Sequence, residues 1–223
     1  MRAISHKLRL STATILAMVL GSYLFAANAD AQGRDISRIN GTINVESGER
    51  VGDVSTVNGS VSLARGSSAS EVTTVNGGID ISDQVSIFHA ETVNGGIRVG
   101  EGVTVSGSLE SVNGGIRIDA GTVIEQHIET VNGRIRLTST QVGNNIETSN
   151  GDIDIRDGSV VEGDIVVHGR KRWWDRLFNW GGSQRPEITI DSSSAVRGDI
   201  HIYREVDLNI ADGSLNGSEI EHF

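Results

Sequence analysis

Four glutamates recur at one position of a repeating pattern: Glu91, Glu110, Glu129 and Glu147, each three residues before an Asn-Gly step. Three arginines, Arg98, Arg117 and Arg136, follow at four residues after such a step. If each pattern unit stacks on the next, the glutamates form one column and the arginines another. Like charges on neighbouring strands repel, so a glutamate column needs cations, arginines or solvent to offset it. One reading is a strip that binds cations or sugars. The other is an ordinary solvated face with its opposite charges just around the corner. Further carboxylates are available at Asp80, Asp152, Asp154, Asp157 and Asp164. Paired carboxylates carry glycoside hydrolysis, but these form no distinctive constellation in so acidic a chain. His89, His127, His168, His201 and His222 read as scattered, and His168 reads as a variant corner residue. No Ser-His-Asp order, zinc spacing, calcium loop or phosphate loop is present. No catalytic residue, metal ligand or cofactor is assigned from the sequence.

One stretch differs in kind. Residues 170–180 read Arg-Lys-Arg-Trp-Trp-Asp-Arg-Leu-Phe-Asn-Trp and hold all three tryptophans of the protein. With Arg185 they bring five basic residues and one acid. Trp173, Trp174, Leu177 and Phe178 fall on one face at helical spacing, flanked by Arg170, Lys171 and Arg172; Gly181 and Gly182 would end such a helix. The residues available for contact are Arg170, Lys171, Arg172, Trp173, Trp174, Arg176, Leu177, Phe178 and Trp180. A basic, aromatic helix suits anionic lipid, stacking on a glycan, or docking on a protein. It could equally fold back and cap the stack.

The elements that position these residues follow from the Asn-Gly steps themselves. Asn40, Asn58, Asn76, Asn94, Asn113, Asn132 and Asn150 are each followed by glycine, at intervals of 18, 18, 18, 19, 19 and 18 residues. A motif returning at a nearly fixed step marks a solenoid. Three and five residues after each Asn stands an aliphatic pair with a polar residue between: Ile43/Val45, Val61/Leu63, Ile79/Ile81, Ile97/Val99, Ile116/Ile118, Ile135/Leu137 and Ile153/Ile155. That alternation is a strand with one buried face. A second alternation follows in each unit, as at Val103 and Val105, giving three short strands per unit. These cannot pair as hairpins; they can pair with their equivalents one coil above and below. The fold expected is all-β: a single-stranded parallel β-helix. Asn-Gly is the corner, where glycine accepts positive φ and Asn is next best, and stacked amides can hydrogen-bond along the axis. The crossover rule favours a right-handed wind, although left-handed helices with similar steps exist.

The pattern breaks at Val167-His168-Gly169, stops for 170–186, and resumes with Ile188 and Ile190 in the places of Ile153 and Ile155. Ile165 and Val167 likewise return as Ile200 and Ile202, and Val206/Leu208 are expected to open a last coil. This makes nine coils, roughly 43 Å of rod at about 4.8 Å per coil. Residues 1–31 read as a cleaved secretory signal: a basic start at Arg2, Lys7 and Arg9, an apolar run from Thr14 to Ala26, and cleavage after Ala31 or after Ala29. Cleavage after Ala31 removes Arg2, Lys7, Arg9 and Asp30, so a chain of net charge −10 becomes one with 16 basic and 28 acidic residues, net −12. That balance disfavours nucleic acid as a partner and suits a soluble, self-repelling envelope protein. The 32–223 region contains no cysteine, so it must be held by stacking alone.

The Thr-Val-Asn-Gly-Gly-Ile pattern at 74–79 and 92–97, with variants at 111–116 and 130–135, resembles the bacterial adhesin family of exported β-helical repeat proteins. The Gly-Asp-Ile coils near the end (163–165 and 198–200) look more like the bactofilins, polymer-forming β-helix proteins. Neither resemblance brings catalytic residues. Together they imply a non-enzymatic exported scaffold or adhesin-like protein, periplasmic, at the outer-membrane surface or extracellular, that acts through its surface on an envelope partner (anionic lipid, glycan or protein). Self-association into filaments through the open ends is the second expectation. A polysaccharide lyase or hydrolase is the third.

Overall fold

The computed structural model describes residues 33–169, 185–215 and 218–223. The signal segment and residues 170–184 of the insert, with the expected helix, lie outside the described residues. Gln32–Phe223 form one compact unit.

Two sheets wind around one core. The narrow sheet has nine strands, one per coil, from Ile43–Val45 to Asp207–Ile210. The broad sheet has fifteen and passes through ten levels, from Arg34–Asn40 to Ile220–His222. Every recorded pairing is parallel and joins a strand to its counterpart one coil away, as at Ile97↔Ile116↔Ile135. The parallel β-helix stands as the repeat implies, with about ten turns against the nine coils expected. The aliphatic pairs face inward and are buried along the stack, with the residue between them outside. Each such Ile or Val contributes about 1.5–3 kcal/mol by leaving water, and the column arrangement lets each pack on the same residue of the next coil.

Register survives the insert. Ile153↔Ile188 and Ile155↔Ile190 pair directly, as do Ile165↔Ile200 and Val167↔Ile202. The last coil is shifted by two from expectation. Leu208 and Ile210, not Val206 and Leu208, pair with Ile188 and Ile190, because Tyr203 to Val206 are consumed in turning the corner. Phe223 then stacks on Tyr203 with ring centroids 4.7 Å apart, closing that end of the broad sheet.

Three strands per coil is correct only from the fifth coil. The first four carry one long strand in the broad sheet: Arg34–Asn40, Val51–Asn58, Ser68–Asn76 and Ser86–Asn94. The next coil breaks it into Thr104–Val105 and Leu109–Asn113, where the interval lengthens from 18 to 19. The extra residue is absorbed at Gly107, whose N–H donates to Phe88 O at 2.7 Å and whose added Cβ would lie 2.4 Å from that oxygen.

The Asn-Gly corner works differently from the expectation. Of its glycines only Gly41 has positive φ. The others are required by close approach: a Cβ on Gly59, Gly77, Gly95, Gly114, Gly133 or Gly151 would sit 1.8–2.2 Å from the carbonyl oxygen of the corner glycine one coil before. Positive φ belongs to a second corner, at Gly48, Gly66, Gln84, Gly102, Gly121, Ser139 and Asp157.

The asparagines form a continuous amide ladder. Each Nδ2 donates to Oδ1 of the preceding one, from Asn58→Asn40 to Asn150→Asn132, at 2.9–3.1 Å. Inside the corner, the buried hydroxyls of Thr56, Thr74, Thr92, Ser111 and Thr130 donate to the same glycine carbonyls. The amide dipoles align, so the carbonyl end of the ladder, Asn150, carries its partial negative charge. Arg204 covers it, donating to Asn150 Oδ1 and, at 2.9 Å, to Ser149 O. Arg204→Ala is expected to cost about 1.5–3 kcal/mol, as for a hydrogen bond to a charged group, and Arg204→Lys to recover part of it. Denaturant unfolding measures both.

Candidate functional site: a histidine–carboxylate strip

The glutamate column exists in register: Glu91↔Glu110↔Glu129↔Glu147 on the outer side of the broad sheet. It is not a solvated face. Glu91 is 7 % exposed, and Glu91 Oε1 and Glu129 Oε2 are enclosed with no hydrogen-bond partner. Nor do the arginines offset it. Arg98, Arg117 and Arg136 are in register on the narrow sheet and pair there with Asp80 at 3.0 Å, Asp119 at 3.2 Å and Asp154 at 3.1 Å. Asp154, nearly buried, is also gripped by Arg156. Arg134 holds Asp152 at 2.7 Å. These acids belong to the structure of the narrow sheet.

The histidines are what the glutamates meet, and they are not scattered. His89 and His127 lie two residues before Glu91 and Glu129 and point to the same outer face. His127 Nε2 lies 3.2 Å from Glu110 Oε1, and His168 Nε2 2.8 Å from Glu147 Oε2. His89 Nε2 is 3.9 Å from Glu91 Oε2, while its Nδ1 is 2.8 Å from Ser108 Oγ, which donates to Glu110 Oε1 at 3.0 Å. Further along the strip, His201 Nδ1 is 3.1 Å from Glu221 and its Nε2 3.7 Å from Asp164. His168 does take the corner place after Val167, but its ring serves Glu147 rather than the amide ladder.

Titration alternates along the column. The His127 hydrogen bond to Glu110 raises that imidazole above its ordinary value against the opposing effect of burial. Burial would raise Glu110, but His127, His89 and Ser108 outweigh it and hold the carboxyl below its usual range. Glu147 is lowered by its hydrogen bond from His168, burial opposing. Burial would depress His89, yet Glu91, Glu110 and Glu71 carry it above the ordinary value. Glu129, between two ionised neighbours and without an imidazole of its own, is pushed up to about 7 by burial and by Glu147 and Glu110. Below about pH 7 a protonated Glu129 separates Glu110 and Glu147, the two that imidazoles keep charged.

No family model, curated protein or solved structure matches this chain.

The strip continues to Asp164, Asp199 and His201, whose ligand-type atoms lie within 4.8 Å of one another. Asp164 Oδ1 and Asp199 Oδ1 each accept a backbone N–H from the following coil, Asp199 N and Glu219 N, at 2.9 Å. Asp157 supplies a turn. Asp80 and Asp152 face arginines, Arg98 and Arg134. The contact residues Arg170 to Trp180 lie outside the described residues. The chain leaves for that insert after His168 and Gly169, and returns at Arg185, which reaches Glu205 at 3.0 Å, and at buried Pro186.

The strip has a sequence signature that the Asn-Gly column overshadows. His-Ala-Glu (89–91), Ser-Leu-Glu (108–110), His-Ile-Glu (127–129) and Asn-Ile-Glu (145–147) are one tripeptide position in four successive coils. Reading the histidines by coil instead of by residue number brings them together.

Proposed function

We propose that this protein is a non-enzymatic, exported β-helical scaffold, adhesin-like in its mode of action, that presents repeated surface groups to a partner in the cell envelope. The observation that carries the reading is the commitment of the inner face and the Asn-Gly corner to stacking. Core, amide ladder and hydroxyl ladder run coil after coil, so chemistry is left only to outward columns that repeat at every step. Such a rod offers many equivalent contacts, and multivalent binding gains from their regular spacing. The signal-like start, the net charge of the cleaved chain and the likeness of the Val-Asn-Gly-Gly-Ile units to exported repeat proteins support an envelope setting. The contact segment is the basic, aromatic insert 170–186, which differs in charge and composition from the rest of the chain.

The test uses the chain from residue 32. Replacing Trp173, Trp174 and Phe178 together by Ser is expected to leave the melting temperature within about 2 °C, about 0.5–1 kcal/mol for a domain of this size, and to abolish binding to anionic liposomes or to glycans. Normal binding with a large loss of stability would make the insert a cap. Turnover of any member of a panel of acidic and neutral glycans would overturn the non-enzymatic reading. Light scattering from the same sample is expected to show single rods, not filaments.

A further inference from the structure

We propose that an arginine-lined trough on the outer face of the narrow sheet binds inorganic polyphosphate, as a contact surface separate from the insert. Arg98, Arg117 and Arg136 are directly paired in three successive coils. With Arg134, and with the bare backbone of Gly96 and Gly115, they line an open hollow of about 340 Å³. The block is local. Beyond the flanking Asp80 and Asp154, the same column holds Ser62 and Thr189. Among the described residues no carboxylate lines the hollow. Asp80 and Asp154 stand one coil outside the arginines at either end. Stacked like charges repel, so three arginines in register carry a cost that a multiply charged anion removes.

The arginines have donors to spare. A guanidinium carries five N–H groups; the pairs with aspartate use one each from Arg98, Arg117 and Arg136 and two from Arg134. Arg98, Arg117 and Arg134 are exposed, and exposed ion pairs are weak, so the aspartates yield to a denser anion. The lining selects the ligand class. Ile97 and Ile116, which complete it, are core residues with no exposed surface, so the trough offers no apolar anchor to a protein or a bilayer. It has no aromatic face on which a base could stack. An extended acidic peptide brings carboxylates to one face only every 6.6 Å or so, roughly, against a coil spacing of about 4.8 Å. A phosphate chain carries charge on every unit, turns freely at each P–O–P link, and presents only oxygens, which the planar guanidinium fork grips in pairs.

The experiment is a calorimetric titration of sodium polyphosphate into the chain from residue 32, with oligogalacturonate, poly-glutamate and oligodeoxythymidylate of matched charge as comparison anions. Saturable polyphosphate binding is expected, weakened by salt and tighter than that of any comparison anion. Arg117→Gln, checked for fold by circular dichroism, is expected to weaken it roughly tenfold, as loss of a hydrogen bond to a charged group does. Arg117→Lys should recover only part, since an ammonium lacks the fork. Arg65→Gln, which removes an exposed arginine paired with Asp83 outside the trough, is expected to change nothing. Absence of saturable binding overturns the proposal, as does binding that survives both Arg98→Gln and Arg117→Gln. Binding lost only when Arg170, Lys171 and Arg172 are replaced by Ser would place the anion on the insert and overturn it too. Equal or tighter binding of a comparison anion would refute the choice of ligand. The scaffold reading is tested separately by the tryptophan and phenylalanine replacements in the insert, so either idea can fail alone.

Discussion

Gly114→Ala is expected to cost about 4 kcal/mol or more, among the largest effects of any single methyl group, and to lower the melting temperature by about 10–15 °C. The added Cβ would sit 1.9 Å from Gly95 O and 2.3 Å from Gly95 C. Both are backbone atoms of the coil beneath, so no side chain can swing aside; the two coils must part, and the ladder bonds from Asn113 and Ser111 part with them. Gly66→Ala is the contrast. Its glycine has φ +71° and nothing within 4 Å of the added methyl, so only the left-handed backbone is penalised, at about 1–2 kcal/mol. Melting curves of the two variants by far-UV circular dichroism distinguish a steric column from a conformational one. Equal losses would refute the assignment of the Asn-Gly glycines to close approach.

Glu129→Gln is expected to stabilise the protein, and only at neutral to alkaline pH. The Glu129 carboxyl is raised from 4.5 to about 7. Its contribution is therefore fully present below the unfolded value and is lost as pH rises through the folded value. The loss corresponds to about 3 kcal/mol at most, at 1.36 kcal/mol per unit. Glutamine cannot ionise and escapes it. In metal-free buffer the variant and the parent should be equally stable near pH 4.5, and the variant should lead increasingly up to pH 8. Glu110→Gln and Glu147→Gln should behave in the opposite sense. Their carboxyls are lowered in the fold, so they stabilise above the unfolded value and lose that effect as pH falls. A difference between Glu129→Gln and parent that does not change with pH would remove the alternating-charge description of the column.

The coils were legible because one asparagine does the same work at every step. Its amide has the same neighbour above and below, so its selection repeats with the coil and stands out against the rest. The strip was harder to read. Its positions alternate between His, Ser and Asn beside a constant Glu, and an imidazole in one coil serves a carboxylate in the next, so the pairs are 17 or 21 residues apart (His127 with Glu110, His168 with Glu147). The long strands of the first four coils were not legible at all. One added residue at Gly107 decides whether a strand bends, and alternation of apolar residues is the same on either side of a bend. The glycine column was found for the wrong physical reason: the sequence shows that no side chain is tolerated, whereas only the stacked backbone shows whether φ or contact forbids it.

The in-register stack is tested most directly by disulfide cross-linking, since the chain has no cysteine of its own. Arg98→Cys with Arg117→Cys, and Val166→Cys with His201→Cys across the insert, place cysteines on directly paired residues, about 4.8 Å apart and within disulfide reach. Both pairs are expected to close within one molecule on mild oxidation. Arg98→Cys with Arg136→Cys, two coils apart, is expected to stay reduced. Closure of that distant pair, or failure of both adjacent ones in a folded protein, would contradict the coil-by-coil stack.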